Sequence, residues 1–145
     1  MELDEVNQMW AKDCKFDETN LISESLRIPS MHNKYFTLYA HEFLKFKRQK
    51  AKLLELEKAK REYYDGSMDE IELKERGWKP NPLKILRTDI NRYIETDKDI
   101  INMTLKVDYQ STIMHYLEDI IKQIHGRNYL IKNAVELMKF QNGGF

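Results

Sequence analysis

The chain has 145 residues, of which 41% are hydrophobic and 33% charged, and its 24 basic residues balance 24 acidic ones. This length suits one ordinary domain, and the absence of any run of about 18 apolar residues excludes a membrane-spanning helix. Five glycines, three prolines and a mean hydropathy of -0.70 indicate a water-exposed protein with long unbroken stretches, as extended helices require.

The first residues carry neither a basic region nor an apolar core of the kind that forms a signal peptide, so we expect a protein that is not secreted. A single cysteine, Cys14, fits a reducing compartment. The sequence also lacks the GxxxxGK[ST] phosphate loop, and its four histidines do not have metal-site spacing. We therefore expect no catalytic residues, no metal and no cofactor.

The first 30 residues predict two helical segments that end at a proline. A short amphipathic helix is expected within residues 1–16, and a second helix start at residues 17–19. Pro29 is expected to end this second segment and Ser30 to cap the next helix.

Residues 31–64 contain neither proline nor glycine and predict one helix of roughly 50 Å at 1.5 Å per residue. Its opposite faces differ in character, so one side can be buried while the other offers cations. The expected core stripe is Tyr35, Phe36, Tyr39, Phe43, Phe46, Leu53 and Leu54, and the opposite face carries Lys45, Arg48, Lys52, Ala59 and Tyr63.

From Lys45 to Tyr64, eight basic residues outnumber three glutamates. Local pairing, worth about 0.3–0.5 kcal/mol for each pair, would make an ordinary salt-bridged face but leaves most of these cations without a partner. Cations followed by the Tyr63-Tyr64 pair suit single-stranded nucleic acid, whose phosphates meet the charges and whose bases stack on rings. We expect Tyr63 to face outward and Tyr64 to pack. The main alternative is a scaffold whose basic helix binds an acidic protein partner, and RNA binding is a third.

Residues 65–96 are expected to form an acidic, proline-containing linker. Asp65, Gly66 and Ser67 should end the long helix, and residues 69–75 predict one or two acidic helical turns. Residues 77–82 predict a loop that contains two prolines. Trp78 is interpreted as the anchor that pins this loop to the core, with base stacking as the alternative.

A second long helix is predicted to begin between Thr88 and Asp97. Its core positions repeat every seven residues, a pattern typical of a coiled-coil or bundle seam, and we expect this seam to serve oligomerisation. Gln110 is the one polar core position and is expected to fix register or oligomer state. The seam consists of Ile100, Met103, Val107, Gln110, Met114, Leu117, Ile121 and Ile124.

Gly126, Arg127 and Asn128 are expected to interrupt this helix, which resumes until Phe140 before residues 141–144 fray. No alternation typical of β-strands occurs. The prediction is an all-α domain over residues 1–145, with N-terminal helices (1–64), the linker (65–96) and oligomerisation helices (97–142).

The segment KAKREYY at residues 58–64 resembles the KAR-x-(D/E)-YY element of the UvsY family, recombination mediators of T-even-like bacteriophages. The resemblance continues at residues 97–100 (DKDI) and resumes in the tail. The tail positions that match in identity or type are Arg127, Tyr129, Ile131, Lys132, Glu136 and Phe140.

The resemblance implies a non-enzymatic protein that binds single-stranded DNA as a ring-like hexamer or heptamer in the cytoplasm of an infected bacterium. It would help load a RecA-like phage recombinase onto strands coated by the phage single-stranded-DNA-binding protein, contacting both proteins. Lys58 and Lys60 inherit the DNA-binding role of the family element, and the C-terminal helices the role in self-assembly. With the charge pattern, the expected DNA-binding residues are Lys45, Arg48, Lys52, Lys58, Lys60, Arg61 and Tyr63.

The chain departs from the family element in two places. Arg61 stands where the element has an aliphatic residue, which adds a charge. The segment after Gly66 is acidic and the loop at residues 78–82 is expanded, so contacts made by the family's shorter linker cannot be transferred to it.

Overall fold

The computed structural model describes residues 1–81 and 83–143, and within them the chain forms five helices and no β-strand. The predicted all-α fold is therefore confirmed. Each of the five helices is too short or too polar to span a membrane. Pro82 and Gly144, placed by the sequence in the loop and in the frayed end, lie outside the described residues. The helices are α1 (Leu3–Asp13), α2 (Leu21–Asp65), α3 (Glu70–Arg76), α4 (Ile90–Glu95) and α5 (Lys98–Gln141).

The chain divides into two compact units, and α2 and α5 each contribute to both. Unit 1 comprises Met1–Leu44 and Gln110–Phe145, and unit 2 comprises Lys45–Tyr109. Each unit has its own hydrophobic core.

The core of unit 1 joins α1, the first half of α2 and the second half of α5. Trp10 of α1 meets Tyr35 of α2 edge to face, with 5.4 Å between ring centroids. An edge-to-face contact of this kind adds to the stability that the two rings gain from burial. The buried members of this core are Val6, Met31, Tyr35, Ile113, Leu117, Ile120 and Ile124.

Buried polar pairs fix the helices of unit 1 against one another. Arg127 of α5 lies 2.9 Å from a carboxylate oxygen of Glu24 of α2, with both side chains 4% exposed. The amide of Gln110 donates to the Glu42 side chain at 2.6 Å and to the Glu42 carbonyl at 2.9 Å. Because a buried polar group is costly without a partner, each pair specifies how α2 and α5 pack in this unit.

The prediction that Pro29 ends a helix is wrong, since α2 continues through it. Proline inside a helix removes a hydrogen bond and costs about 3 kcal/mol. Here Glu24 precedes it and Met31 follows it, and both are buried in unit 1. Packing on either side of Pro29 therefore offsets the local cost.

The prediction that Gly126 interrupts the helix is wrong, since α5 is helical from Lys98 to Gln141. A helical glycine costs about 1 kcal/mol relative to alanine. Its neighbours Ile124 and Arg127 are buried in unit 1, so tertiary contacts hold the helix on both sides of it.

The predicted core stripe of α2 is only half right. Tyr35 is fully buried, whereas Phe36 is 52% and Leu54 61% exposed. Adjacent residues on a helix point about 100° apart, so a pair such as Tyr35-Phe36 cannot both face the same core.

The predicted seven-residue row of α5 is largely core within one chain. In unit 1, Gln110, Met114, Leu117 and Ile124 are buried and Ile121 is half-buried; in unit 2, Ile100 and Val107 are buried and Met103 is half-buried. These side chains are largely covered by their own chain, and a role of the row in oligomerisation stays a prediction. Gln110 likewise pairs with Glu42 of the same chain.

Unit 2 is built around the end of α2, α4 and the beginning of α5. Ile90, Ile94 and Ile100 form its core, with Leu56, Tyr64 and Ile85 packed against them. Gly66, with φ of 81°, ends α2 as expected, since glycine adopts this left-handed conformation without steric cost. The predicted acidic helix is α3, capped by the Asp69 side chain, which accepts a hydrogen bond from the Glu72 amide at 2.7 Å.

Candidate nucleic-acid interface

The cations expected to bind DNA differ in exposure. Arg48, Lys52, Lys58 and Arg61 are exposed on α2, and Lys45 is half-buried. Lys60 is only 5% exposed. Most of the predicted basic face is therefore accessible in unit 2, whereas Lys60 is buried.

None of these accessible cations forms an ion pair with any residue that the structure describes. Glu55, Glu57 and Glu62, which share the helix with them, make no salt bridge to them either. The ordinary alternative of a salt-bridged face is thus not what α2 presents. Lys58 does line a shallow pocket with Glu55, Glu62 and Glu72, so its surroundings are partly acidic.

Lys60 is held by two carboxylates at the start of α5. Its ammonium lies 3.1 Å from Asp97 and 2.8 Å from Asp99. The Trp78 ring centroid is 4.0 Å from the same ammonium, a cation–π contact. The charge of Lys60 is therefore already neutralised by side chains of its own unit.

Asp97 joins the end of α2 to the start of α5 through its two carboxylate oxygens. One oxygen accepts hydrogen bonds from the amides of Asp99 at 2.9 Å and Ile100 at 3.2 Å, which caps the first turn of α5. The other accepts from the Tyr64 hydroxyl and contacts Lys60. The segments 58–64 and 97–100, which carried the family resemblance separately, are therefore one contact cluster.

The environment of this cluster shifts two titrations. Burial raises the pKa of Asp97, but hydrogen bonds from Tyr64 and Lys60 outweigh it and bring the pKa below its ordinary value. Burial and the bond to Asp97 raise the pKa of Tyr64 well above its ordinary value. Asp97 is thus held as the anion that Lys60 requires.

Tyr63 and Tyr64 take the expected outward and packed positions only in part. Tyr64 packs on the core of unit 2, as predicted. Tyr63, expected to face outward, is half-buried, and its hydroxyl donates to the Lys79 carbonyl at 2.6 Å. Its ring centroid lies 5.4 Å from that of Trp78, so much of Tyr63 is used to hold the loop after α3.

Trp78 behaves as the predicted loop anchor. It is half-buried and contacts Lys60, Tyr63 and the Arg76 guanidinium, which lies 5.2 Å from its ring centroid. Sequence reasoning missed the joining of Lys60 with Trp78, Asp97 and Asp99. The available signal was an opposite charge pattern in the two short segments that carried the resemblance.

The sequence profile of a family described as "Recombination, repair and ssDNA binding protein UvsY" matches residues 9–144. A comparison with curated protein sequences gives no significant match. Among solved structures, the chain is similar to the bacteriophage T4 recombination mediator protein UvsY in three crystal lattices.

In lattice type II the TM-score is 0.85 at 19% identity, with 98% of each chain covered. In lattice type I the TM-score is 0.82 at 18% identity, covering 94% of this chain and 98% of the T4 chain. In lattice type IV it is 0.81 at 18% identity, covering 97% and 99%. At such identities the structural likeness establishes the shared fold, and the family match spans nearly the whole sequence: the chain belongs to the UvsY family.

Proposed function

We propose that the protein is a non-enzymatic recombination mediator that binds single-stranded DNA and helps load a RecA-like phage recombinase onto strands coated by single-stranded-DNA-binding protein. The observation that carries the proposal is the set of exposed cations on α2 (Arg48, Lys52, Lys58 and Arg61) that form no ion pair with the described residues. Membership of a family described as single-stranded-DNA binding supports it.

The contacts are electrostatic and individually weak. Each exposed lysine or arginine meets one backbone phosphate and releases the counterions bound to it. Lys45 lies at the edge of this surface and adds to its field. Lys60 acts indirectly, because it holds the end of α2 against the start of α5. Tyr63 contributes the exposed part of its ring.

Self-assembly into a hexameric or heptameric ring would multiply these weak sites. Once one subunit has bound the strand, the neighbouring DNA is held at a high effective concentration near the sites of the other subunits. The ring therefore binds tightly although one subunit does not. The surfaces we assign to assembly are apolar side chains that the single chain leaves exposed on the last part of α5. They include Tyr129, Leu130, Leu137, Met138 and Phe140.

We attribute loading of the recombinase to the wrapping of the DNA strand around the ring. A strand bent over the ring would loosen the competing single-stranded-DNA-binding protein and present its bases to the recombinase. This action needs no catalytic group or cofactor, and it takes place in the cytoplasm of the infected bacterium.

The test is binding of labelled oligo-dT, followed by fluorescence anisotropy at salt concentrations between about 50 and 200 mM. We expect affinity to fall steeply with salt and light scattering to show a multimer. Salt-independent binding would remove the phosphate-contact model. No affinity for oligo-dT, combined with capture of an acidic protein, would support the scaffold alternative instead.

A further inference from the structure

Two arginines, Arg61 and Arg87, line a pocket of about 520 Å³ beside the end of α2. Arg61 comes from α2 and Ser67 from the turn that follows it, whereas Arg87 comes from the loop that leads to α4. The walls are Arg61, Asp65, Ser67, Ile85, Arg87 and Ile90, all of them in unit 2. Ile90 is buried and Ile85 packs on the same core, so the loop is fixed where it meets the pocket.

Both arginines are available to a ligand. They are exposed, and neither makes an ion pair or side-chain hydrogen bond with the described part of the chain. A guanidinium donates through a planar fork that matches two phosphate oxygens, and two such groups in one pocket can hold a single phosphate. The carboxylate of Asp65 is held in the turn, where it accepts from the Ser67 amide at 2.8 Å.

The composition of the pocket favours a phosphodiester. Arg61, Arg87 and Asp65 together give one net positive charge, which matches the single negative charge of an internucleotide phosphate. Ile85 and Ile90 form an apolar wall against which a sugar or base edge can pack. Arg61 also lies three residues after Lys58, so on the helix it continues the exposed cations of α2.

We propose that Arg61 and Arg87 grip one phosphate of the bound DNA strand, so that the loop before α4 is part of the DNA-binding surface. This inference rests on the proposed function and extends it to the loop before α4, residues 83–89, which the basic helix alone does not include. Arg87 becomes a DNA-binding residue, and Arg61 acquires a partner.

The experiment compares Arg87→Ala, Arg61→Ala and the double variant with a matched control, Lys84→Ala. Lys84 is exposed in the same loop and carries the same charge, but it does not line the pocket. Each variant is titrated against labelled oligo-dT over a salt series, after its unfolding midpoint and assembled mass are shown to equal those of wild type.

We expect Arg87→Ala to lower affinity about tenfold, the order expected for a lost hydrogen-bonded charge contact. The slope of log affinity against log salt should fall by less than the value of about 0.7 for a fully lost phosphate contact, because Arg61 still contacts the same phosphate. Lys84→Ala should leave both nearly unchanged. The double variant should lose less than the product of the two single losses, because both arginines hold the same phosphate.

Three outcomes overturn the proposal. Equal losses for Arg87→Ala and Lys84→Ala would mean that only the general field matters. Independent, multiplying losses in the double variant would mean that the arginines do not share a phosphate. Weaker inorganic phosphate binding by Arg87→Ala with unchanged oligo-dT affinity would make the pocket a site for free phosphate. A wild-type protein without salt-dependent oligo-dT binding would instead remove the proposed function, and the pocket proposal with it.

Discussion

The ammonium of Lys60 lies 3.1 Å from a carboxylate oxygen of Asp97, and each side chain is only 7% exposed. A pair removed from water in this way is strongly destabilised when one partner is deleted, because the other charge stays buried. The pair ties α2 to the start of α5 in unit 2, so its first effect is on folding.

We expect Lys60→Ala to lower the free energy of unfolding by about 3 kcal/mol, the usual loss when one member of a buried ion pair is removed. Urea denaturation monitored by circular dichroism measures it. Lys60→Arg keeps the charge and should retain more of the stability than Lys60→Ala does. A Lys60→Ala variant as stable as wild type, with affinity for oligo-dT lost, would show that Lys60 contacts DNA directly.

Lys58→Ala should give the opposite result. Lys58 is exposed and has no ion-pair partner in the described chain, so its removal should change the free energy of unfolding by less than about 0.5 kcal/mol. Its loss should weaken oligo-dT binding and reduce the salt slope by about 0.7. Anisotropy at two salt concentrations and urea denaturation of the same samples separate the two effects. Unchanged affinity would place the DNA elsewhere.

The sequence predicted the helical fold, the acidic turn at α3 and the glycine that ends α2, because these depend on nearby residues. It did not predict the burial of Lys60. A helical wheel assigns a face from residues within a few turns, whereas Asp97 and Asp99 come from another helix and Trp78 from a loop. For the same reason Pro29 and Gly126 appeared as breaks, although packing holds the helix through both.

The seven-residue row of α5 shows a different limit. Periodicity identifies side chains such as Leu117 and Ile124 that must be buried, and both are. It does not tell whether the covering helix belongs to the same chain, because α2 and a second subunit would impose the same period. At one position of the row, the structure shows Gln110 paired with Glu42 of the same chain.

The two apolar surfaces of α5 should therefore respond differently to substitution. Phe140 is 81% and Leu137 57% exposed in the single chain. We expect Leu137→Ser with Phe140→Ser to lower the assembled mass in light scattering while helical content is kept. Leu117→Ala, in the core of unit 1, should instead cost about 2–5 kcal/mol of stability. An unchanged mass in the double variant would exclude the end of α5 from the subunit contact.

Two glycines offer a matched test of backbone conformation. A Cβ added at Gly126 or at Gly66 would meet no atom within 4 Å, so neither change creates a clash with other residues. Gly126 is helical, and Gly126→Ala should raise the free energy of unfolding by about 0.5–1 kcal/mol. Gly66 has φ of 81°, where alanine is strained, so Gly66→Ala should lower the free energy of unfolding. Thermal unfolding of both variants checks the signs, and a destabilised Gly126→Ala would mean that α5 needs its flexibility there.

The shifted pKa of Asp97 predicts how stability depends on acid. Because hydrogen bonds from Tyr64 and Lys60 lower this pKa in the folded state, the unfolded chain binds more protons near the ordinary aspartate value of 3.8. The stabilisation is therefore complete above that value and is lost as the pH falls below about 4. Asp97→Asn, which keeps a cap for α5, should be less stable than wild type at neutral pH and should lose less on acidification. Urea denaturation at a series of pH values compares it with Glu75→Gln, an exposed carboxylate of α3, which should follow wild type. Equal slopes for wild type and Asp97→Asn below pH 4 would show that the acid sensitivity arises from other carboxylates.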